Sequence, residues 1–272
     1  MSLIQIVILA LIQGITEYLP ISSSGHLILV PEFMGWHDQG FMTDMITNLG
    51  TVAATTIYFW RDVVAMFWGL IDLVKRRYSQ NAHLVLHVII ATIPILIVGA
   101  LLSKLGLKEY LRSPLLVAIN SIIFGLLLYL ADSYGRMRNT VKDLNWMTAL
   151  IFGLFQCLAL SPGTSRSGVT MTGGRFLGFT RSDAARFSFL MSIPANLAAS
   201  VKVLGDGIRA GEHIGIDQVI CGVLTFFVGL GTIHFLMSYI RTRSLMPFIV
   251  YRIVLGSAIL GLLYSGMQLT HP

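Results

Sequence analysis

Two short polar stretches hold the residues in this sequence whose types and spacing suit phosphate chemistry. One of them, residues 162–170, reads Pro-Gly-Thr-Ser-Arg-Ser-Gly-Val-Thr and lies between apolar segments. An arginine at the centre of a bilayer costs about 2.5–3.5 kcal/mol, so something must offset the burial of Arg166. A guanidinium can donate two parallel hydrogen bonds to phosphate oxygens. A helix that begins after Pro162 and Gly163 also points its first N–H groups at the same ligand. The stretch therefore predicts an anion-binding loop; the alternative is that Arg166 only extends to the membrane interface.

The other polar stretch, near the N-terminus, holds residue types that transfer protons or phosphoryl groups. Gln13 and Glu17 are four residues apart and face the same side of one helix. Glu17 can bind a divalent ion, act as a base or pair with Arg166. His26 can accept a phosphoryl group or act as an acid and base, whereas Ser23 is the competing nucleophile with His26 as its base. Activation of a water molecule by one of them is the third possibility.

Composition places both stretches in a membrane protein. Of the 272 residues, 55% are hydrophobic and 12% are charged, against about 25% charged in a soluble domain, and the mean hydropathy is +0.76. We expect an all-α polytopic membrane protein. The net charge of +6 is spread over loops, which indicates membrane topology rather than nucleic-acid binding. Cys157 and Cys221 lie in apolar runs and are expected to be buried thiols.

The apolar segments predict six transmembrane helices and two shorter re-entrant helical hairpins. The predicted spans are residues 46–60, 84–102, 115–131, 184–204, 219–240 and 246–267. Each hairpin consists of two apolar pieces around a polar turn, the first within residues 4–36 and the second within residues 147–179. Because a span needs about 20 residues, pieces of half that length fit a hairpin better than a span.

The two halves of the chain resemble each other, which predicts a single membrane domain of two repeats, about 1–138 and about 139–272. Gly14, Glu17, Leu19 and Ser22 align on Gly153, Gln156, Leu158 and Ser161, and Ser-Ser-Ser-Gly at 22–25 echoes Ser-Arg-Ser-Gly at 165–168. Three spans per half make the repeats inverted in the membrane. The hairpins would then enter from opposite faces and meet near the midplane in one site. The basic loop at 61–83 favours both termini outside.

These residues resemble the signatures of the undecaprenyl-diphosphate phosphatase family of the bacitracin-resistance type. The resemblance lies in Gln13, in Glu-Tyr-Leu-Pro-Ile-Ser-Ser-Ser-Gly-His at 17–26 and in residues 162–170, and it extends to Phe-Ser-Phe-Leu-Met-Ser-Ile-Pro at 187–194. It implies an integral membrane phosphatase that converts undecaprenyl diphosphate to undecaprenyl phosphate and inorganic phosphate. Such an enzyme recycles the lipid carrier for peptidoglycan synthesis and confers bacitracin resistance. The resemblance also implies the same fold, the bacterial inner membrane and a site facing the periplasm.

The resemblance further implies the roles of the site residues. The catalytic residues are Glu17, Ser23, His26 and Arg166; the phosphate-binding residues are Ser22, Ser165, Arg166, Ser167 and Thr170; and the metal ligands, for Mg²⁺ or Ca²⁺, are Gln13 and Glu17. The family accepts Glu or Gln at the position of Gln13. With Gln here one carboxylate is missing, so metal binding depends more on Glu17 and the substrate. The expected partners are undecaprenyl diphosphate and membrane lipid, not nucleic acid, and both a monomer and a homodimer are compatible with the sequence.

Two other classes of protein share part of this pattern. Another lipid phosphatase superfamily also has a Ser-Gly-His turn and a Ser-Arg motif, but it requires a histidine six residues after the arginine, where this chain has Thr172. A lipid-phosphate transporter or flippase with inverted repeats would need Arg166 and the hydroxyl groups but no nucleophile. Release of inorganic phosphate from a prenyl diphosphate distinguishes the enzyme from the carrier.

Overall fold

The structure, a computed structural model, describes residues 1–36, 40–106 and 113–265. Within these ranges it consists of helices and connecting turns. The α helices are α1 Leu3–Thr16, α2 Ser23–Met34, α3 Gly40–Tyr58, α4 Trp60–Val74, α5 Gln80–Lys104, α6 Pro114–Tyr134, α7 Trp146–Leu158, α8 Arg166–Phe176, α9 Arg181–Arg209, α10 Ile216–Tyr239 and α11 Met246–Tyr264. A 3₁₀ turn, Val141–Asp143, precedes α7. The predicted all-α membrane class is confirmed.

Five helices in the described part of the chain are long and apolar enough to cross a membrane: α5, α6, α9, α10 and α11. They contain the predicted spans at 84–102, 115–131 and 184–204, and all of the predicted span at 219–240 except its last residue, since α10 ends at Tyr239. The span predicted at 246–267 corresponds to α11, and its last two residues lie outside the described residues. The span predicted at 46–60 corresponds mostly to α3, which ends at Tyr58, just before α4 begins at Trp60. Helix α3, which holds Asp44 and Asn48, is not among these five helices, and its crossing stays a prediction.

The two shorter apolar helices each form a helical hairpin with the next helix. Helices α1 and α2, joined by residues 17–22, form the first hairpin, and helices α7 and α8, joined by residues 159–165, form the second. Helix α1 also packs against α10, and α7 against α5. At these contacts a Cβ on Gly14 would lie 2.7 Å from the Val228 side chain, and one on Gly153 would lie 2.5 Å from the carbonyl oxygen of Ala91. Small residues therefore let both helices approach their neighbours closely.

A buried ion cluster ties together α6, α8 and α9 at the end of α6. The Asp132 carboxylate accepts hydrogen bonds from Arg181 Nε at 2.6 Å, from Arg175 Nε at 3.3 Å and from the Leu245 N–H at 3.2 Å. Arg175 is fully buried and also donates to the carbonyl oxygen of Gly135. Because its charge faces a carboxylate, this arginine is compensated within the fold.

Candidate active site

The second helix of each hairpin begins after a serine in the left-handed backbone region. Ser22, with φ of +76°, precedes α2, and Ser165, with φ of +67°, precedes α8. Each Oγ accepts a hydrogen bond from the glycine N–H three residues on, Gly25 at 3.4 Å and Gly168 at 3.2 Å. Non-glycine residues seldom adopt a positive φ, and such strain concentrates at functional sites. The two loops thus start their helices in the same way.

The two hairpins meet directly. The Ser167 hydroxyl, in the first turn of α8, donates to the carbonyl oxygen of Leu19 in the first hairpin at 3.1 Å. The Arg166 guanidinium donates from Nη2 to Glu17 Oε1 at 2.8 Å, and the two side chains are only 11% and 10% exposed. These contacts bring the loops of both hairpins together at Glu17.

The Glu17 carboxylate, at the C-terminal end of α1, is the centre of the site. Its Oε2 accepts hydrogen bonds from Ser23 Oγ at 2.8 Å and from Gln13 Nε2 at 3.2 Å. Its Oε1 accepts from Asn196 Nδ2 at 3.3 Å in addition to Arg166. A carboxylate beside a serine hydroxyl can accept the proton of that hydroxyl, and the adjacent guanidinium can hold an anion.

A cavity of about 640 Å³ opens beside this carboxylate. Its polar end is formed by Gln13, Glu17, Ser23, Asn48, Arg166 and Asn196. Most of the remaining wall is apolar and comes from α5 and α9, with residues such as Leu96 and Ala199, while Asp44 and Lys202 also line it. The volume is typical of a small-molecule site, and a polar end on an apolar wall suits an amphipathic ligand.

The predicted phosphate-binding hydroxyls lie beneath the loops rather than on the wall of this cavity. Ser22, Ser165, Ser167 and Thr170 are all buried. Thr170 Oγ1 donates to the carbonyl oxygen of Arg166 at 2.7 Å and lies 2.5 Å from Ser188 Oγ. In this arrangement these side chains shape the loops, and Arg166 is the member of the predicted set that lines the cavity.

His26 is near Ser23 in sequence, but its ring makes other contacts. Its Nδ1 lies 2.7 Å from the Ser22 carbonyl oxygen, and its Nε2 lies 2.6 Å from the Tyr251 hydroxyl. Because a carbonyl only accepts, we assign the hydrogen to Nδ1, so the Tyr251 hydroxyl donates to Nε2. The two rings also stack, with centroids 5.7 Å apart. Among the described side chains, the base in contact with Ser23 Oγ is therefore Glu17 rather than His26.

Asn196 is a site residue that the sequence analysis does not include. Its Nδ2 lies 3.3 Å from Glu17 Oε1 and 3.3 Å from Asn48 Oδ1, so the two asparagines extend the polar end of the cavity. The signal was an amide inside an apolar helix, two residues after Pro194. Such groups are costly in a membrane, but their partners depend on how distant helices pack.

The residues that could hold a cation are few. No group of three or more His, Cys, Asp or Glu residues comes together in the described ranges. However, Gln13 Oε1 is buried and has no hydrogen-bond partner there, and it belongs to the amide that contacts Glu17. One carboxylate and one amide oxygen fit a hard cation that takes its other ligands from substrate phosphates and water.

Comparisons with known proteins agree over almost the whole chain. Residues 6–258 match the family model described as bacitracin resistance protein BacA. A Ruegeria pomeroyi protein named undecaprenyl-diphosphatase is 43% identical over 267 residues, which cover 97% of this chain and all of that protein. A Magnetococcus marinus protein of the same name is 45% identical over 270 residues, covering 95% of this chain and 98% of that protein.

Proposed function

This chain belongs to the bacitracin resistance protein BacA family, and from that membership we infer that it is an undecaprenyl-diphosphatase. It hydrolyses undecaprenyl diphosphate to undecaprenyl phosphate and inorganic phosphate. The observation that carries this function is the contact of Glu17 with both Ser23 and Arg166 at the polar end of a mostly apolar cavity. That arrangement suits a substrate with an anionic head and a long apolar tail.

Arg166 is proposed to bind the terminal phosphoryl group. Its Nε is buried and has no hydrogen-bond partner among the described residues. A buried donor without a partner is costly, and a phosphate oxygen would satisfy it. The N-terminus of α8, which begins at Arg166, adds partial positive charge on the same side.

Ser23 is proposed to attack the terminal phosphorus while Glu17 takes the hydroxyl proton. The Ser23 Oγ–P bond forms, the phosphoanhydride bond breaks, and undecaprenyl phosphate leaves. The leaving undecaprenyl phosphate takes up the proton that Glu17 received from Ser23, so Glu17 is ionised again. Glu17 then accepts a proton from the water that attacks the phosphoserine; the Ser23 Oγ–P bond breaks, Glu17 returns that proton to Ser23 Oγ, and inorganic phosphate leaves. The support is the 2.8 Å hydrogen bond from Ser23 Oγ to Glu17 Oε2. His26, held by Ser22 and Tyr251, would keep the start of α2 in place.

A divalent cation, Mg²⁺ or Ca²⁺, is proposed to bind through Gln13 Oε1, Glu17 and the substrate phosphates. The buried amide oxygen without a partner supports this placement. When bound, the ion would neutralise the negative charge that develops on the phosphoryl oxygens. Because the protein offers so few oxygen ligands, we expect metal affinity to rise when diphosphate is present.

The proposed membrane arrangement has six spans and two re-entrant hairpins in inverted repeats. Two features support it. The hairpin helices α1 and α7 pack against α10 and α5, which hold corresponding places in the two halves, and Ser22 and Ser165 share one backbone conformation. We place the multi-pass protein in the bacterial inner membrane with its site facing the periplasm, where it would recycle the lipid carrier and confer bacitracin resistance.

A flippase reading is not favoured, because the relatives carry the name of a diphosphatase. Ser23 in contact with a base is also something that a carrier does not need. The deciding experiment gives the purified protein undecaprenyl diphosphate in detergent and measures inorganic phosphate with Mg²⁺, with chelator and after metal is added back. Arg166→Ala should lower the rate by about 10³-fold or more, whereas Arg186→Ala, which breaks the ion pair with Asp62, should not. Near-normal turnover by Arg166→Ala would contradict the site.

A further inference from the structure

Arg252 is a buried cation that lacks an anionic partner in the described part of the structure. It lies in α11, and its side chain is fully buried. Its hydrogen bonds all go to backbone carbonyl oxygens: Pro20 at 3.4 Å, Asn120 at 3.4 Å, Ser121 at 3.3 Å, Gly163 at 3.0 Å and Thr164 at 2.8 Å. The burial of an arginine among neutral acceptors is costly, so the position of these carbonyls matters.

The acceptors belong to three separate parts of the chain. Pro20 is in the loop of the first hairpin, and Gly163 and Thr164 are in the loop of the second. Asn120 and Ser121 belong to α6. One planar guanidinium, with five donors in a fixed fork, therefore bridges both loops to two of the long helices.

The same guanidinium lies behind the start of α8. A Cβ on Gly168 would be 2.7 Å from Arg252 Nη1, so the fork packs against the first turn of that helix. The carbonyl of Thr164 points at Arg252, and in a trans peptide the following N–H, that of Ser165, points the opposite way. Arg252 thus fixes the orientation of the peptide that leads into Arg166.

We propose that Arg252 is a positioning residue for the phosphatase reaction. By binding the carbonyls of both hairpin loops, it sets Ser23 and Arg166 at the distances from Glu17 that the chemistry needs. Its charge, compensated by no carboxylate in the described part of the chain, adds to the positive potential around the phosphate. This inference rests on the proposed function.

Arg175 shows that burial alone does not define this role. It is also fully buried, but it faces Asp132 and the carbonyl oxygens near the end of α6, so its charge is compensated within the structural cluster. Arg175→Ala is therefore a matched control: it also removes a buried guanidinium, but one that contacts neither hairpin loop.

The kinetic test compares Arg252→Ala, Arg252→Lys and Arg175→Ala in detergent. We expect Arg252→Ala to lower kcat by about 10²-fold, as misplacement of reacting groups does, with a smaller change in KM. Added guanidinium should restore part of the lost kcat, whereas methylammonium at the same concentration should not, because only the planar fork spans several carbonyls. Kinetics of Arg252→Ala that match those of Arg175→Ala, or a loss that guanidinium leaves unchanged, would overturn the proposal.

Arg252→Lys covers the case in which the alanine variant does not fold. Lysine keeps the charge but not the fork, so we expect folded protein with kcat lowered by about tenfold. Full kcat in this variant would show that charge alone suffices, and the positioning role would be wrong.

Amide hydrogen exchange gives a readout that does not depend on catalysis. Peptides covering residues 17–25 and 159–168 should exchange faster in Arg252→Ala than in Arg175→Ala, since both loops lose their common partner. If the unaltered protein released no phosphate, the proposed function would be wrong. The exchange result would still test whether Arg252 holds the two hairpin loops in place. Unchanged exchange in both loops would show that Arg252 does not hold them in place, and the proposal would be wrong.

Discussion

The two hairpin loops share one backbone geometry but carry different chemistry. Ser22 and Ser165 both have positive φ and both bind the glycine three residues on. The next residue is Ser23 in the first hairpin and Arg166 in the second, and the two side chains reach opposite oxygens of Glu17. The same local fold thus delivers a hydroxyl from one side and a guanidinium from the other.

The acid itself is present in the first hairpin only. At the position that aligns with Glu17, the second hairpin has Gln156, which is fully buried and whose amide atoms have no hydrogen-bond partner among the described residues. A neutral amide at this position avoids the burial of a second charge. The difference between the hairpins therefore suits a reaction that needs one base and one anion-binding group.

Loss of the hydroxyl of the first hairpin should have the largest effect on the rate of phosphate release. Ser23→Ala should lower phosphate release by about 10⁴-fold, because no other side-chain hydroxyl among the described residues contacts Glu17. Ser192→Ala is the matched control, since Ser192 is a buried serine that, among the described residues, donates only to the Phe189 carbonyl, and it should keep activity.

Trapping of a phosphoenzyme followed by mass mapping tests the same assignment. We expect the label on Ser23. A label on His26, or no label with full turnover by Ser23→Ala, would move the attack to the histidine or to water.

Replacement of the acid of the first hairpin by glutamine, the residue of the second hairpin, should have the next largest effect on activity. Glu17→Gln removes the base and the partner of Arg166, and we expect about a 10³-fold loss of kcat. Gln156→Leu is the control in the other hairpin, where replacement of an unpartnered buried amide should keep activity and not lower the midpoint of thermal unfolding. Equal losses of activity in the two variants would refute the asymmetry.

Replacement of the Arg166 guanidinium by an ammonium tests whether the second hairpin contributes more than a positive charge. Arg166 donates to Glu17 Oε1 and to the Ser188 carbonyl, and its Nε has no hydrogen-bond partner among the described residues. Lysine offers a point charge without this fork, so Arg166→Lys should cost about 10²-fold in kcat/KM. Activity equal to that of the unaltered protein would mean that charge alone binds the phosphate.

The contact between His26 and Tyr251 should contribute less to kcat than either Ser23 or Arg166. Tyr251→Phe removes the donor to His26 Nε2 but keeps the ring stacking. Since that hydrogen bond only supports the start of α2, we expect kcat to fall by less than about tenfold. A loss as large as that of Ser23→Ala would instead put His26 in the chemistry, as the sequence analysis first suggested.

Sequence reasoning reached the parts of this site that depend on residue type and short spacing. The pairing of Glu17 with Arg166 was one of its three options for the acid, and it is present at 2.8 Å. The resemblance to the family is confirmed by the match over residues 6–258. Both follow from local patterns, because a charge in an apolar segment must find a partner.

Sequence reasoning fell short where the outcome depends on backbone torsion or on distant packing. The positive φ of Ser22 sets the direction in which α2 starts, and with it whether Ser23 meets Glu17 or His26. No residue type dictates that angle, since serine rarely adopts it. The role of Arg252 is not visible in the sequence, because its carbonyl partners become neighbours only after α11 packs on α6.

The smallest predicted effect tests whether the two serines store the same strain. At either position both variants lose the Oγ acceptor, but glycine accepts a positive φ freely, whereas alanine keeps the strain. We therefore expect Ser22→Ala to be less stable than Ser22→Gly by about 1–2 kcal/mol, and the same order at Ser165. The measurement is the thermal unfolding of the four variants in one detergent. If the order of alanine and glycine were reversed at one serine only, the two loops would differ in backbone as well as in chemistry, because only a position without left-handed strain favours alanine over glycine.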